Sequence, residues 1–422
     1  MFRLNGCLVG CALLAQGLFA QMGEEGFVSL FDGQTLNGWQ RHGGTSEYAV
    51  VDGAIVGTFK DASRNSFLCT EKPYGDFILR LEFKLEKGNS GVQFRSQTTG
   101  SAKTERVFGY QSEISGGPDN ARIYDEGRRG FKFKRTWLDE TPRAALDTAM
   151  KSYKRGDWNA MEIQCVGPSI RTWLNGVPVV NIFDGETLEG FIGLQVHAIK
   201  DPDGTVCARW RNIRIKALGT SSWTPFFVKG ADGQYGLKQA RFVLPDNWTF
   251  KDAEGVLVGK HVANEKRDGL VVSDKIYTDF IVRVSYQLFG GNSALYFRAE
   301  EVNTPWLLKG FQNEIAGNDK DSALWHTAGD KTPGRGWVAT NDLFIAQVRN
   351  AKGWNTTCTV AYGDRIVQIL NSQRTADIVD PLCEKNGKVG LQLHGSANVE
   401  MWFKDFEILE ITPAMKALIE RK

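Results

Sequence analysis

The chain repeats itself once, over nearly its whole length. Tyr74-Gly-Asp-Phe-Ile-Leu-Arg80 returns as Tyr277-Thr-Asp-Phe-Ile-Val-Arg283, and Gly88-Asn89-Ser90 with Phe94-Arg95 returns as Gly291-Asn292-Ser293 with Phe297-Arg298. Gly109-Tyr-Gln-Ser-Glu-Ile114 recurs as Gly310-Phe-Gln-Asn-Glu-Ile315. Trp158-Asn159 matches Trp354-Asn355, Leu174-Asn175 matches Leu370-Asn371, and Gly193-Leu-Gln-Val-His197 matches Gly390-Leu-Gln-Leu-His394. The order is kept and the spacing is about 200 residues. Solenoid units run roughly 20–50 residues, so a period this long means two complete domains. The 422-residue length agrees, because a single core stops growing below that size. Gly219-Thr-Ser-Ser222 interrupts two strand-like segments, which places the domains at about 26–218 and 223–412.

Each copy reads as strands. Phe77 to Leu85 alternates, with Arg80, Glu82 and Lys84 on one side and apolar residues on the other. That period of two is a half-buried strand. Met161 to Leu174, Phe191 to His197, Ala208 to Lys216, Thr356 to Leu370 and Val399 to Ile411 read similarly. Turn signals stand at Asp52-Gly53, Asn175-Gly176 and Asp232-Gly233. No sustained helical stripe is present, although Pro413 to Lys422 suits a helical turn. Aromatic residues (25 Phe, 12 Trp, 10 Tyr) beside 46 Gly fit pleated sheets joined by tight turns. The expectation is an all-β chain of two tandem β-sandwich domains, with Trp158 and Trp354 in their cores.

Charge narrows the function classes. The formal net charge is +2 with no basic block, so nothing predicts a nucleic-acid partner. Arg3 precedes an apolar run from Cys7 to Ala20, the pattern of a secretory signal peptide over residues 1–20. The run is too short to favour a membrane span. Leu8-Val9-Gly10-Cys11 resembles a lipoprotein box, but apolar residues continue past it, which favours plain export to the periplasm or beyond. Of seven cysteines, five lie beyond this segment without CxxC spacing, so neither a disulfide framework nor a zinc site is indicated. Cys165 and Cys207 read as buried small hydrophobes.

Several motifs carry a family resemblance. Leu30-Phe-Asp-Gly-Gln-Thr-Leu-Asn-Gly-Trp39 resembles the opening of the 3-keto-disaccharide hydrolase family. Asn89-Ser90-Gly91 with Phe94-Arg95, Gly109 to Ile114, Ile123-Tyr-Asp-Glu126 with Arg128-Arg129, Trp158-Asn159 and Gly193 to His197 follow in family order. The second copy lacks the opening motif and has Ala323-Leu-Trp-His326 where the first has Ile123-Tyr-Asp-Glu126. The resemblance implies a concanavalin-like jelly roll that binds carbohydrate on its concave sheet. It also implies cleavage of glycosides whose glucose is oxidised at C3.

A C3 ketone acidifies the C2 proton, so a base can remove it and expel the C1 substituent; water then adds back. Such a site needs a base, a stabilised enolate and help for the leaving oxygen. Glu113, Asp125 and His197 are the expected catalytic set. Arg95 would face the enolate, with Asn89, Gln111, Tyr124, Glu126 and Arg128 binding substrate. Asn292, Arg298, Gln312, Glu314 and His394 are their counterparts in the second copy. No cofactor motif is present, although Glu113, Asp125 and His197 could together hold a divalent metal. The retention of Glu314 and His394 in a diverged copy speaks for Glu113 and His197 over the plain alternatives of a solvated outer-face glutamate and a hydrogen-bonded sandwich histidine. A non-catalytic carbohydrate-binding protein is the competing reading, and a glycosidase for unoxidised sugars is a third.

Overall fold

The computed structural model describes residues 25–60, 64–101, 104–129, 143–199, 204–251, 254–261, 265–328, 333–340, 342–395 and 398–421. The expected signal segment lies outside them. Within them the chain is all-β and forms two jelly-roll sandwiches in tandem. In the first, an eight-stranded antiparallel sheet runs Val177–Phe183, Ser169–Leu174, Asn159–Val166, Asp76–Leu85, Val206–Gly219, Ala54–Thr58, Glu47–Val51, and Val28–Ser29 pairs alongside Val206–Gly219. It packs on a six-stranded sheet in the order Trp39–Gly43, Ser66–Thr70, Phe191–Val196, Ser90–Thr99, Arg106–Ile114, Ile123–Glu126. The second copy repeats this with an eight-stranded sheet centred on Phe280–Gly290 and Glu400–Glu410. Its other sheet has seven strands, ordered Ala240–Val243, Gly269–Ser273, Lys388–Leu393, Ser293–Glu301, Leu308–Ile315, Leu324–His326, Gly336–Ala339.

Alternation builds each core. Phe77, Leu79, Leu81 and Phe83 point inward to meet Val92, Phe94, Tyr110, Ile114 and Leu194 from the opposite sheet. The second core holds Phe280, Val282, Val284, Leu295, Phe297, Phe311 and Ile315 in the same way. Asp52-Gly53 and Asn175-Gly176 both place two successive residues at positive φ (51° and 73°; 48° and 81°), as two-residue hairpin turns require. Met161 to Leu174 is not one strand but a hairpin that turns at Gly167, and Thr356 to Leu370 turns likewise at Gly363.

Two features depart from the sequence reading. Short helices at Arg143–Ser152 and Asp342–Val348 were not expected; the described residues bury an i, i+3 pair in each, Leu146 with Ala149 and Ile345 with Val348, which is too brief to read as a helical stripe. Trp158 and Trp354 are not core residues: Arg211 lies 4.0 Å over one ring and Lys404 4.6 Å from the other. They are half-buried on the outer side of the large sheets. All five described cysteines are free and buried, Cys165 and Cys207 among them. No helix among the described residues is long and apolar enough to cross a membrane.

The copies meet through an apolar seam of Val166, Phe183 and Leu188 against Ile281, Val360, Val367 and Leu409. The tail forms a helix, Pro413–Ile419, capped by the Thr412 hydroxyl. This helix crosses back to the first copy, where Gln164 and Arg171 donate to the carbonyls of Leu418 (3.0 Å) and Ile419 (2.6 Å).

One buried arginine ties the two sheets of each sandwich together. Arg95, at a bulge in the small sheet with φ 46°, is fully buried. It donates to Gly75 O (2.9 Å), Gly167 O (2.7 Å) and Asp76 Oδ1 (2.7 Å), all belonging to the large sheet and its turn. Arg298 does the same with Thr278 O, Gly363 O and Asp279. Arg95 and Arg298 are therefore not ligand-facing, contrary to the sequence expectation, because the bulge rotates each side chain into the sandwich. Breaking one partner of a buried pair strands the other charge and typically costs about 3–5 kcal/mol. Arg95→Met should accordingly lower unfolding stability by about that much, measured by urea denaturation followed through tryptophan fluorescence.

Candidate active site

The outer face of the six-stranded sheet gathers polar side chains by alternation. Gln93 pairs in register with Gln111, and Gln111 with Tyr124, so all three share one face. Glu113 lies two residues along from Gln111, and Glu126 two along from Tyr124. Ser96 Oγ donates to Gln93 Oε1 (2.7 Å), Gln93 Nε2 to Gln111 Oε1 (2.8 Å), and Gln111 Nε2 to Glu113 Oε2 (2.8 Å). Asn89 Nδ2 donates to the other oxygen of Glu113. The relay is unidirectional and ends on one carboxylate.

Glu126 is the second carboxylate of this face. Although it pairs with Gly109, its oxygens take Asn65 Nδ2 at 3.2 Å and Gln195 Nε2 at 3.5 Å. The strands of Glu126 and Gln195 are three spacings apart, about 14 Å in a flat sheet. The side chains meet, so the sheet curls toward this face and the face is hollow. Gly91 lines the floor for a packing reason: a Cβ there would stand 2.4 Å from Gln111 Cδ, so only glycine lets Gln111 lie across to Glu113. Gln195 Oε1 is buried without a hydrogen-bond partner.

Burial sets the electrostatics. Desolvation pushes the Glu113 carboxyl above the usual range, while its two amide donors pull it back. Glu126 is pushed up to about 7, chiefly by burial, with Asn65 opposing and the Glu113 charge adding to the rise. Tyr124, half-buried beside both, is raised by burial and by these carboxylates.

The remaining expected residues separate. Asp125 points the opposite way from Tyr124 and Glu126, because consecutive strand residues alternate. It is fully buried and bonded to Arg128 (Nη2, 2.7 Å) and to Arg129. Arg129 continues to Asp184 at 2.7 Å, and Arg128 lies 4.8 Å over the Tyr110 ring. Asp125 and Arg128 thus form an internal ion-pair network and are not part of the hollow face. His197 follows the strand end, half-buried, with Nδ1 bonded to Ala198 O (3.1 Å) and not to either glutamate. The metal set Glu113, Asp125 and His197 is therefore not assembled, and no cluster of three such ligands occurs among the described residues.

Sequence reasoning missed Asn65, Gln93 and Gln195. It also missed a histidine–carboxylate pair, His42 Nδ1 to Glu105 Oε1 at 3.0 Å, with His42 stacked on Phe191. Gln195 was findable, since its Leu-Gln-x-His motif is duplicated. Asn65 and Gln93 are replaced by Asp268 and Tyr296 and left no repeated signal. A cavity of about 850 Å³ lies elsewhere, between the copies, lined by Arg129, Asp184, Trp223, Arg283, Arg349 and Glu407; neither Glu113 nor Glu126 borders it.

Two jelly rolls, one with paired buried glutamates on a hollow amide-lined face, define a carbohydrate-active, hydrolase-like protein. The chain belongs to the 3-keto-alpha-glucoside-1,2-lyase-like domain family, whose profile matches residues 26–216 and again 223–409. It is similar to a 3-keto-disaccharide hydrolase of Bacteroides thetaiotaomicron, 24% identical over 237 residues, covering 46% of this chain and 79% of that protein. Among solved structures, a protein described as a glycosyl hydrolase from Parabacteroides distasonis is 20% identical, covering 47% of this chain and 97% of its own (TM-score 0.33). A carbohydrate-binding module from Bacillus subtilis is 17% identical, covering 43% and 96% (TM-score 0.30).

Folding raises the Glu126 carboxyl from 4.5 to about 7, so the folded chain holds this proton more tightly than the unfolded chain. The contribution is complete below about pH 4.5 and lost as pH rises through about 7. Wild-type protein should lose stability between pH 5 and 8, and Glu126→Gln should flatten that loss, checked by thermal unfolding at both pH values.

Proposed function

We propose that the first copy is an exported enzyme that cleaves glycosides whose glucose unit carries a ketone at C3. The observation that carries this reading is the pair of buried carboxyl groups, Glu113 and Glu126, on one hollow face, each raised by burial. Two carboxyls held in different environments divide naturally into base and acid. Glu113, with two amide donors favouring its ionised form, takes the proton from C2, and the electron pair moves onto the C3 oxygen as an enolate. Collapse of that enolate restores the C3 ketone, forms a C1–C2 double bond and expels the C1 oxygen, which takes the Glu126 proton. Water then adds at C1 and a proton returns to C2, which gives net hydrolysis. Tyr124, whose phenol feels the charge of both glutamates, takes the enolate-stabilising role that the buried Arg95 cannot fill. Asn89, Gln111 and Gln195 orient sugar hydroxyls.

Export rests on the N-terminal segment; intact mass of protein recovered from the periplasm should show cleavage close to Ala20. The catalytic reading is tested by aglycone release from a 3-keto-glucoside, with and without EDTA, the chelator arm separating a carboxylate site from one that recruits a divalent ion. Glu113→Gln and Glu126→Gln should each lower kcat by about 10²–10⁴-fold, and Asp125→Asn should act mainly on stability. For the wild type, kcat/KM should fall as pH rises through about 7, where Glu126 loses its proton, and Glu126→Gln should lack that limb. Binding of oligosaccharides without release would favour a non-catalytic module instead.

A further inference from the structure

The second copy keeps half of this arrangement and rebuilds the rest. Glu314 stands where Glu113 does, takes Asn292 Nδ2, and is pushed up to about 7 by burial. Three groups of substitutions then change the face, the first including Tyr296 for Gln93. Ala294 replaces the floor glycine Gly91, and Gln312 no longer reaches the glutamate; it donates to Gln392 Oε1 at 3.4 Å.

The second carboxylate has moved. Strand register sets Leu324, not Ala323, against Ile123, a shift of one from the sequence alignment, so Thr327 is the counterpart of Glu126. Its hydroxyl is committed to Leu308 O at 2.9 Å. Asp268 meanwhile replaces Asn65 and accepts from Gly395 N (2.6 Å) and Gln392 Nε2 (2.7 Å). It does the backbone-holding part of Asn65's work, where Asn65 Oδ1 takes Ala198 N at 2.8 Å. Arg298 is interior and His394 is exposed at the strand end, so neither joins the face.

The third change adds aromatic surface. Trp325 replaces Tyr124 beside Gln312 and pairs in register with Trp337, extending the row by a strand. The two rings stand edge to face at 4.8 Å and 76°, and Trp337 is 45% exposed. The exposed Trp337 indole, one strand beyond the row of Gln312 and with Lys320 Nζ 5.6 Å from its ring centroid, offers an apolar plate with hydrogen-bonding groups at its side. A pyranose matches it, with C–H bonds on its faces and hydroxyls around its edge.

We infer that the second copy holds a saccharide-binding site of its own, in which a neutral pyranose stacks on Trp337, braced edge to face by Trp325, and bonds Gln312 and Glu314. It retains sugar without cleaving it, because Thr327 supplies no proton donor in place of Glu126. The ligand class rests on the carbohydrate reading given above, but the site is separate from the first copy's.

The test uses the full-length chain carrying Glu113→Gln and Glu126→Gln, titrated calorimetrically with trehalose and with cellobiose. Trp337→Ala should weaken binding roughly tenfold or more, and Gln312→Ala should weaken it as well. In the otherwise wild-type chain, Trp337→Ala should leave aglycone release from a soluble 3-keto-glucoside unchanged. Unchanged titrations in both variants, or no binding of either disaccharide, would overturn the inference. Loss of catalysis in the first-copy variants with retained Trp337-dependent binding supports the second site, and Trp337-dependent binding in a protein whose wild type releases no aglycone supports it independently of the catalytic reading.

Discussion

A guanidinium buried between two sheets organises each half of this molecule. Arg95 and Asp76 in the first copy, and Arg298 and Asp279 in the second, join the small sheet to the hairpin end of the large one. Each aspartate also takes a backbone N–H from the hairpin turn, Gly167 or Gly363. The remaining aspartate oxygen accepts from outside the sandwich, Ser221 of the linker in one case and Lys416 of the C-terminal helix in the other. The same ion pair thus sets the sheet-to-sheet fit and anchors the segments that hold the copies together.

The fold was legible because duplication shows strand and turn signals twice, and because period-two alternation identifies the core. The site was half legible. Glu113, Gln111 and Asn89 sit in a repeated motif and do meet, as do Tyr124 and Glu126. Asp125 and Arg95 sit in equally well repeated or family-like motifs, yet both are interior. A strand cannot present Tyr124, Asp125 and Glu126 on one face, so alternation alone argues against that set. Arg95 is harder, because without its bulge alternation would place it beside Gln93 on the outer face, and nothing in the local sequence announces the bulge. Trp158 and Trp354 were misplaced for another reason: a tryptophan flattened under Arg211 or Lys404 buries much of its area without entering a core.

On the reading proposed above, one scaffold separates chemistry from binding between its two copies. In the first, amides converge on Glu113 while Glu126 hangs across the hollow with weaker partners, so the carboxyls differ in proton affinity though both are buried. In the second, one added methyl at Ala294 accompanies a redirected glutamine, and the acid is replaced by a hydroxyl already spent on backbone. The sheet order and the arginine tie are unaffected. The core has diverged too, with Val282, Val284, Leu295 and Phe311 for Leu79, Leu81, Val92 and Tyr110, but each stays apolar or aromatic and the sandwich is kept.

The most direct test of this account is where a substrate sits. A crystal of the Glu113→Gln protein soaked with a 3-keto-glucoside should show the sugar over Gln93 and Gln111, its C1 oxygen within hydrogen-bonding distance of Glu126. Density confined to the cavity between the copies, beside Arg129 and Arg283, with the hollow face empty, would contradict it.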